Sequence, residues 1–167
     1  MTVDELLARE AIRHTLASYN VYGDRLKVAE LVALFTEDAV LDLETGTGGR
    51  RLEGREAIAG FFSGMAKPPR KDGAPGAESK PAPPPEKPTE QKAPPFVRHH
   101  ISTCHIQMTG PDEAEVRTYF AVYTQAGPDH CGYYVDRFKR TGDAWLIAQR
   151  QPRVDWTSPD SFFRRRG

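Results

Sequence analysis

Only two of the 167 residues are cysteine, Cys104 and Cys131, and their spacing matches neither a zinc site nor a disulfide framework. Reduced thiols in a cytoplasmic protein are the expectation. Net charge is missing too. Lys+Arg and Asp+Glu both number 23, so no bulk field draws the chain to nucleic acid or an anionic membrane. No apolar run approaches the roughly 20 residues that a membrane-spanning helix needs. The opening Met1-Thr2-Val3-Asp4-Glu5 carries acid where an export signal carries base, so no export is expected. The remaining composition, 38% hydrophobic and 28% charged, suffices for a core. One domain over residues 1–167 is expected.

The 14 prolines are unevenly placed, ten of them between Pro68 and Pro95. That stretch has no aromatic residue and no Leu, Ile or Val, so it buries too little apolar area to offset its ordering entropy. Residues 67–95 are predicted to be a disordered insertion within the domain. Its PxxP-like runs are read as a tolerated surface loop in preference to a ligand for a proline-binding module.

Before the insertion the period is helical. Ala8, Ile12, Leu16 and Tyr19 share one face of a helix over about residues 3–20. Val28, Leu31, Val32 and Phe35 predict a second helix ending near Phe35. Ala39–Leu43 reads as a short strand and Thr45–Gly49 as a turn. Gly54-Arg55-Glu56 opens a third helix whose Ile58, Phe61 and Phe62 face the core. After the insertion come four strands rich in β-branched and aromatic residues: Val97–Met108, Glu113–Gln125, Tyr133–Thr141 and Ala144–Val154. Turn sequences separate them, among them Ala126-Gly127-Pro128-Asp129 and Thr141-Gly142-Asp143. Helices followed by an antiparallel meander define the α+β class. Three helices on a curved sheet enclose a cone able to hold a small ligand.

Several segments in order resemble the SnoaL-like branch of the nuclear transport factor 2-like superfamily. They are Ala11-Ile12-Arg13 to Tyr19, Gly23-Asp24, Leu34-Phe35-Thr36-Glu37-Asp38-Ala39-Val40 and Gly54-Arg55-Glu56-Ala57-Ile58. Arg98-His99-His100-Ile101-Ser102, Thr109–Asp112, Tyr119-Phe120 and Tyr134-x-Asp136-x-Phe138 to Trp145 continue the pattern. The likeness spans nearly the whole chain apart from residues 67–95 and about the last ten. It implies the cone-shaped α+β barrel. For function it implies less, since this fold hosts dehydratases, isomerases, cyclases and non-catalytic subunits.

In the scytalone dehydratase and bile-acid 7α-dehydratase branch, an Asp after the first helix pairs with a His on the strand that follows the third helix. The matching residues here are Asp24 and His99, with Tyr19 where a catalytic Tyr stands in the bile-acid enzyme. A neutral imidazole takes a proton near physiological pH, a carboxylate on its other nitrogen steadies the imidazolium, and a phenol donates a hydrogen bond. His99 and His100 face opposite sides of a strand. His99 is preferred by register, with His100 as the alternative. Arg150, on the last strand, is a candidate to stabilise a leaving group or oxyanion, against a reading as a solvated strand end. Asp24 also reads as an N-cap before the second helix.

Candidate pocket walls are Tyr22, Phe35, Val40, Phe61, Phe62, Tyr119, Tyr134 and Trp145. Asp129-His130 resembles a frequent Asp-His pair of this branch, but it is placed in a turn and read as solvated. His14 and His105 fit no metal pattern, and no metal or cofactor is expected. The tail from about residue 158, which carries the basic run Phe162-Phe163-Arg164-Arg165-Arg166, is expected to be flexible.

Two functions are weighed, the first placed ahead of the second. One is a cofactor-independent lyase or isomerase acting on a hydrophobic, oxygenated small molecule. The other is a non-catalytic ligand-binding or assembly subunit, similar to the β subunit of ring-hydroxylating dioxygenases. It would use an outer sheet face carrying Glu115, Arg117, Tyr119 and Tyr123. Either way a homodimer or homotrimer is expected.

Overall fold

The structure is a computed structural model that describes residues 1–43, 49–66, 96–161 and 163. The predicted proline-rich insertion and most of the Thr45–Gly49 turn lie outside the described residues. The first helix, α1 (Val3–Asp24), begins at Thr2, whose hydroxyl accepts from the Glu5 amide at 3.1 Å. Asp4 and Glu5 place negative charge at its positive end. Its buried stripe includes Ile12, Thr15 and Leu16. Thr15 Oγ1 donates to the Trp145 carbonyl at 2.8 Å and Arg9 Nη1 to the Ile106 carbonyl at 2.6 Å, tying the helix to the sheet. The helix runs four residues past its expected end, and Asp24 is its last residue.

The second helix, α2, spans only Val28–Val32. Phe35, expected to end it, instead starts β1 (Phe35–Leu43) and is fully buried. Tertiary pairing overrides the helical period there. The Arg55 guanidinium donates to the Phe35 carbonyl (Nε at 3.0 Å), and the Ile147 amide to that of Leu34 at 2.9 Å, both of which hold the chain extended. A short strand, β2 (Arg50–Glu53), pairs antiparallel with β1. It escapes sequence reading because only Leu52 of its four residues is buried. Gly54, at φ +83°, donates its amide to the Ala39 carbonyl at 2.8 Å and turns the chain into α3 (Arg55–Ala66).

The long strands are β3 (Val97–Met108), β4 (Glu113–Thr124), β5 (Gly127–Thr141) and β6 (Ala144–Thr157). β5 starts six residues before its expected start, so Asp129 and His130 lie on a strand and not in a turn. The sheet order is β2-β1-β6-β5-β4-β3, antiparallel throughout except for the parallel β1–β6 pair. Register shifts in the β3–β4, β4–β5 and β5–β6 pairs bend the sheet. At one of them Gly132 passes so close to the Arg153 carbonyl oxygen that a Cβ would lie 1.9 Å from it. The result is the α+β cone, with helices packed on the concave face of a six-stranded sheet. Ile12, Leu16, Phe35, Leu41, Ile58, Phe138 and Ile147 fill its narrow end.

The tail expected to be flexible from about residue 158 is held as far as Ser161. The Ser158 amide donates to the Asp129 carbonyl at 2.7 Å, and Ser161 is buried. Among the described residues no helix is long and apolar enough to cross a membrane.

Candidate active site

The open end of the cone is a cavity of about 510 Å³ with predominantly apolar walls. Tyr19, Asn20, Gly23 and Asp24 reach it from the last turns of α1, because positions 19, 20, 23 and 24 share one helical face. Phe61, Phe62 and Met65 come from α3. Leu43 lies at the end of β1, Phe96 just before β3, Val97, Arg98 and His99 at the start of β3, and Phe120 on β4. His130 and Tyr134 of β5, Pro152 and Val154 of β6, and Leu26, Gln125 and Phe163 complete the wall.

Asp24 meets His99 twice. Its Oδ1 is 2.5 Å from the ring Nδ1, and its Oδ2 accepts the His99 backbone amide at 3.0 Å. The carboxylate is nearly buried and the imidazole half-buried. A carboxylate at Nδ1 fixes the proton on that nitrogen and leaves Nε2 as the acceptor on the cavity side. The capping reading of Asp24 is overturned. The N-cap of α2 is Lys27, and no side chain bonds there. His100, one residue on, is exposed on the other face against Tyr123, with ring centres 5.3 Å apart.

Arg150 is the largest fully buried side chain. Its Nε and Nη2 donate to Asp136 at 2.9 and 2.7 Å, and its guanidinium lies between the rings of Tyr19 (4.0 Å) and Tyr134 (4.2 Å). Burial alone would weaken its charge, but Asp136 holds it firmly protonated. Arg150 is neither a solvated strand end nor part of the cavity wall. It lies behind the two tyrosines, which corrects its expected place as a direct oxyanion donor. Burial also pushes the Tyr19 and Tyr134 phenols up from their ordinary range, only partly opposed by Arg150, so both stay protonated at neutral pH.

Four of the eight expected wall residues sit elsewhere because of strand parity or depth. Val40 and Tyr119 point away from the cone: Ala39, Leu41 and Phe120 are the inward neighbours, and Tyr119 is 46% exposed. Phe35 lies behind Tyr19 in the core, and Trp145 is buried beside the first half of α1. A fifth, Tyr22, is half-buried on the flank of α1 outside the wall. Phe61, Phe62 and Tyr134 do line it.

Sequence reasoning missed Asn20, whose buried Oδ1 has no hydrogen-bond partner among the described residues. His130, set aside as a solvated turn residue despite its Asp-His resemblance, lies on β5 and lines the cavity. Among the described residues no three His, Cys, Asp or Glu side chains gather as metal ligands do.

The chain is thus an α+β cone with a polar cluster set in an apolar cavity. Residues 4–151 match the family model of the SnoaL-like domain, and the chain belongs to that family. No curated protein matches the sequence. Among solved structures, a protein named as a scytalone dehydratase from Novosphingobium aromaticivorans is 23% identical, with a TM-score of 0.69 over 95% of this chain and 91% of that one. The hexachlorocyclohexane dehydrochlorinase LinA-type3 from Novosphingobium barchaimii is 14% identical, with a TM-score of 0.67 over 94% and 92%. A protein named as the β subunit of an aromatic-ring-hydroxylating dioxygenase from Novosphingobium aromaticivorans is 18% identical, with a TM-score of 0.66 over 95% of each chain. At these identities the likeness is one of fold.

Proposed function

We propose that the chain is a lyase or isomerase that moves a proton on a hydrophobic, oxygenated small molecule, with His99 as the base. The observation that carries this reading is the double hold of Asp24 on His99, at the ring Nδ1 and at the backbone amide. One carboxylate thereby fixes both the orientation of the ring and the strand that carries it. His99 Nε2 takes a proton from a carbon next to a carbonyl, and Asp24 balances the imidazolium that forms. Tyr19 and Tyr134, kept protonated by burial, are the donors for the developing enolate oxygen. The aromatic wall of Phe61, Phe62 and Phe120 selects an apolar, ring-sized substrate body.

The test is a panel of hydrophobic ketones with an acidic α hydrogen, with and without a β leaving group, incubated in D2O. Deuterium uptake at the α carbon or loss of the β group is followed by mass spectrometry. His99→Gln and Asp24→Asn are expected to lower the wild-type rate by about 100-fold or more. His100→Ala, on the opposite face, leaves it unchanged. Full activity in His99→Gln would overturn the assignment.

A second reading draws on the outer sheet face, where Tyr119 and Tyr123 are exposed and Arg117 lies 4.6 Å over the Tyr133 ring. That face suits a homodimer or homotrimer, or a subunit interface like that of a dioxygenase β subunit. Light scattering of the purified chain, alone and with Tyr119→Glu, separates an assembly through this face from a monomer.

A further inference from the structure

Ile12 and Leu16 lie four residues apart on the buried face of α1, and the next position of that stripe is Asn20. A carboxamide thus stands where the helical period calls for an apolar side chain, at the point where α1 passes from the core into the cavity wall. Asn20 is only 6% exposed, and its Oδ1 has no hydrogen-bond partner among the described residues. Other polar side chains of the wall are already engaged. Asp24 holds His99, His130 Nδ1 is 2.7 Å from Asp129 Oδ1, and Gln125 Oε1 accepts the Phe96 amide at 3.3 Å. A buried amide oxygen left unpaired costs the ligand-free protein stability that an apolar side chain of the same outline would not. A partner that arrives with the ligand removes that cost.

We propose that Asn20 is a specificity-determining residue, the recognition point for a hydroxyl group on an otherwise apolar ligand. This deepens the reading of the cavity as a site for a hydrophobic, oxygenated molecule. It rests on the cavity being a ligand site and not on His99 acting as a base. The unmet group is an acceptor, so it selects a donor. A hydroxyl supplies one, whereas a ketone, an ether or a methyl group in its place leaves Oδ1 unpaired. The terminal torsion of an asparagine is broad, so the amide can turn its oxygen onto that donor. In a wall that is predominantly apolar, a single hydrogen bond of this kind fixes which end of the ligand enters first.

The position of Asn20 also sets where the hydroxyl lies. Asn20 and Asp24 are one helical turn apart on the same face, about 5–6 Å between Cβ atoms for such a pair. Asp24 in turn grips His99. A hydroxyl on Asn20 and the ligand atoms beside the Asp24–His99 pair therefore belong to one ring-sized body.

The experiment measures binding of two probes of the same ring, 2-naphthol and 2-methylnaphthalene, to the full chain by equilibrium dialysis at neutral pH. Wild type, Asn20→Leu, Asn20→Ala and, as a control on the opposite sheet face, His100→Ala are compared. Urea midpoints of the ligand-free proteins are taken alongside. In both Asn20 variants the preference for naphthol, as the ratio of the two Kd values, is expected to fall about 5- to 10-fold, while His100→Ala keeps it. Leu preserves the branched outline of Asn and Ala adds no bulk, so a fall in both reports the lost bond and not a blocked cavity. Ligand-free Asn20→Leu is expected to unfold at a higher urea concentration than wild type, because the unpaired oxygen is gone. An unchanged ratio in either Asn20 variant, or a urea midpoint of Asn20→Leu below that of wild type, overturns the role of Asn20 and leaves the cavity and the reading of His99 standing. A wild-type chain that binds neither probe removes the cavity as a site for such ligands, and this role of Asn20 with it.

Discussion

The buried pair of Arg150 and Asp136 invites a quantitative test, because both side chains are fully removed from solvent and contact each other through two hydrogen bonds of 2.9 and 2.7 Å. Arg150→Met leaves a buried carboxylate without its cation, and Asp136→Leu leaves a buried guanidinium without its anion. Each is expected to cost about 3–5 kcal/mol, the range for uncoupling one partner of a buried pair. For a chain of this size that lowers the melting temperature by roughly 6–20 °C. Arg150→Met also forfeits the two ring contacts with Tyr19 and Tyr134, worth about 0.5–2 kcal/mol each. It should therefore be the worse of the two single variants. The double variant removes both charges together and replaces them with apolar volume. Such replacements are often neutral, so the double is expected to lie within about 4 kcal/mol of wild type, the most that the two lost ring contacts are worth. The coupling energy is then at least about 3 kcal/mol. Urea unfolding of all four proteins measures it, with slopes expected to be equal so that midpoints compare directly. Single variants that each cost less than about 1 kcal/mol, or a double that costs the sum of the singles, would refute the reasoning.

Gly132→Ala places a methyl group 1.9 Å from the Arg153 carbonyl oxygen, a backbone atom that moves only if the β5–β6 pairing moves. A loss of at least about 3 kcal/mol is expected in the same urea assay. The tyrosines set an alkaline limit. Burial raises the folded-state pKa of Tyr19 and Tyr134, while the unfolded chain releases those protons near pH 10. Stability is therefore intact below about pH 10 and falls above it by up to about 1.4 kcal/mol per pH unit for each phenol. Tyr134→Phe removes one of the two contributions, which urea midpoints taken from about pH 9 to 11 resolve as a shallower decline.

The helical stripe of Ile12 and Leu16 and the strand alternation from Glu113 onward were legible because each rests on one element's own period. Phe35 was not. Its spacing from Val28 fits a helix, and only pairing with β6, more than a hundred residues on, makes it a strand residue. The site divides in the same way. Asp24 and His99 were visible through the family resemblance and meet in the structure. Wall residues failed wherever the inward parity of a strand had to be chosen without its partner. Val40 was taken for Leu41 and Tyr119 for Phe120, each one residue off, since alternation gives two faces but not which one is inside. His130 was lost because Gly127-Pro128 reads as a turn, whereas the chain reverses one step earlier, at residues 125 and 126.

The parallel pairing of β1 with β6 gives the order of synthesis a role. The tyrosine that caps Arg150 belongs to the first helix, and Arg150 belongs to the last strand. At ribosomal rates α1 emerges roughly ten seconds before the residues that will cover it. Throughout that interval the Ile12–Leu16 stripe has no native partner in β6, and β1 has no parallel neighbour. Until β6 is made, the nascent chain therefore carries an unpartnered apolar stripe on α1 and an open edge on β1. Any chaperone that attends this domain has its work concentrated on α1 and β1.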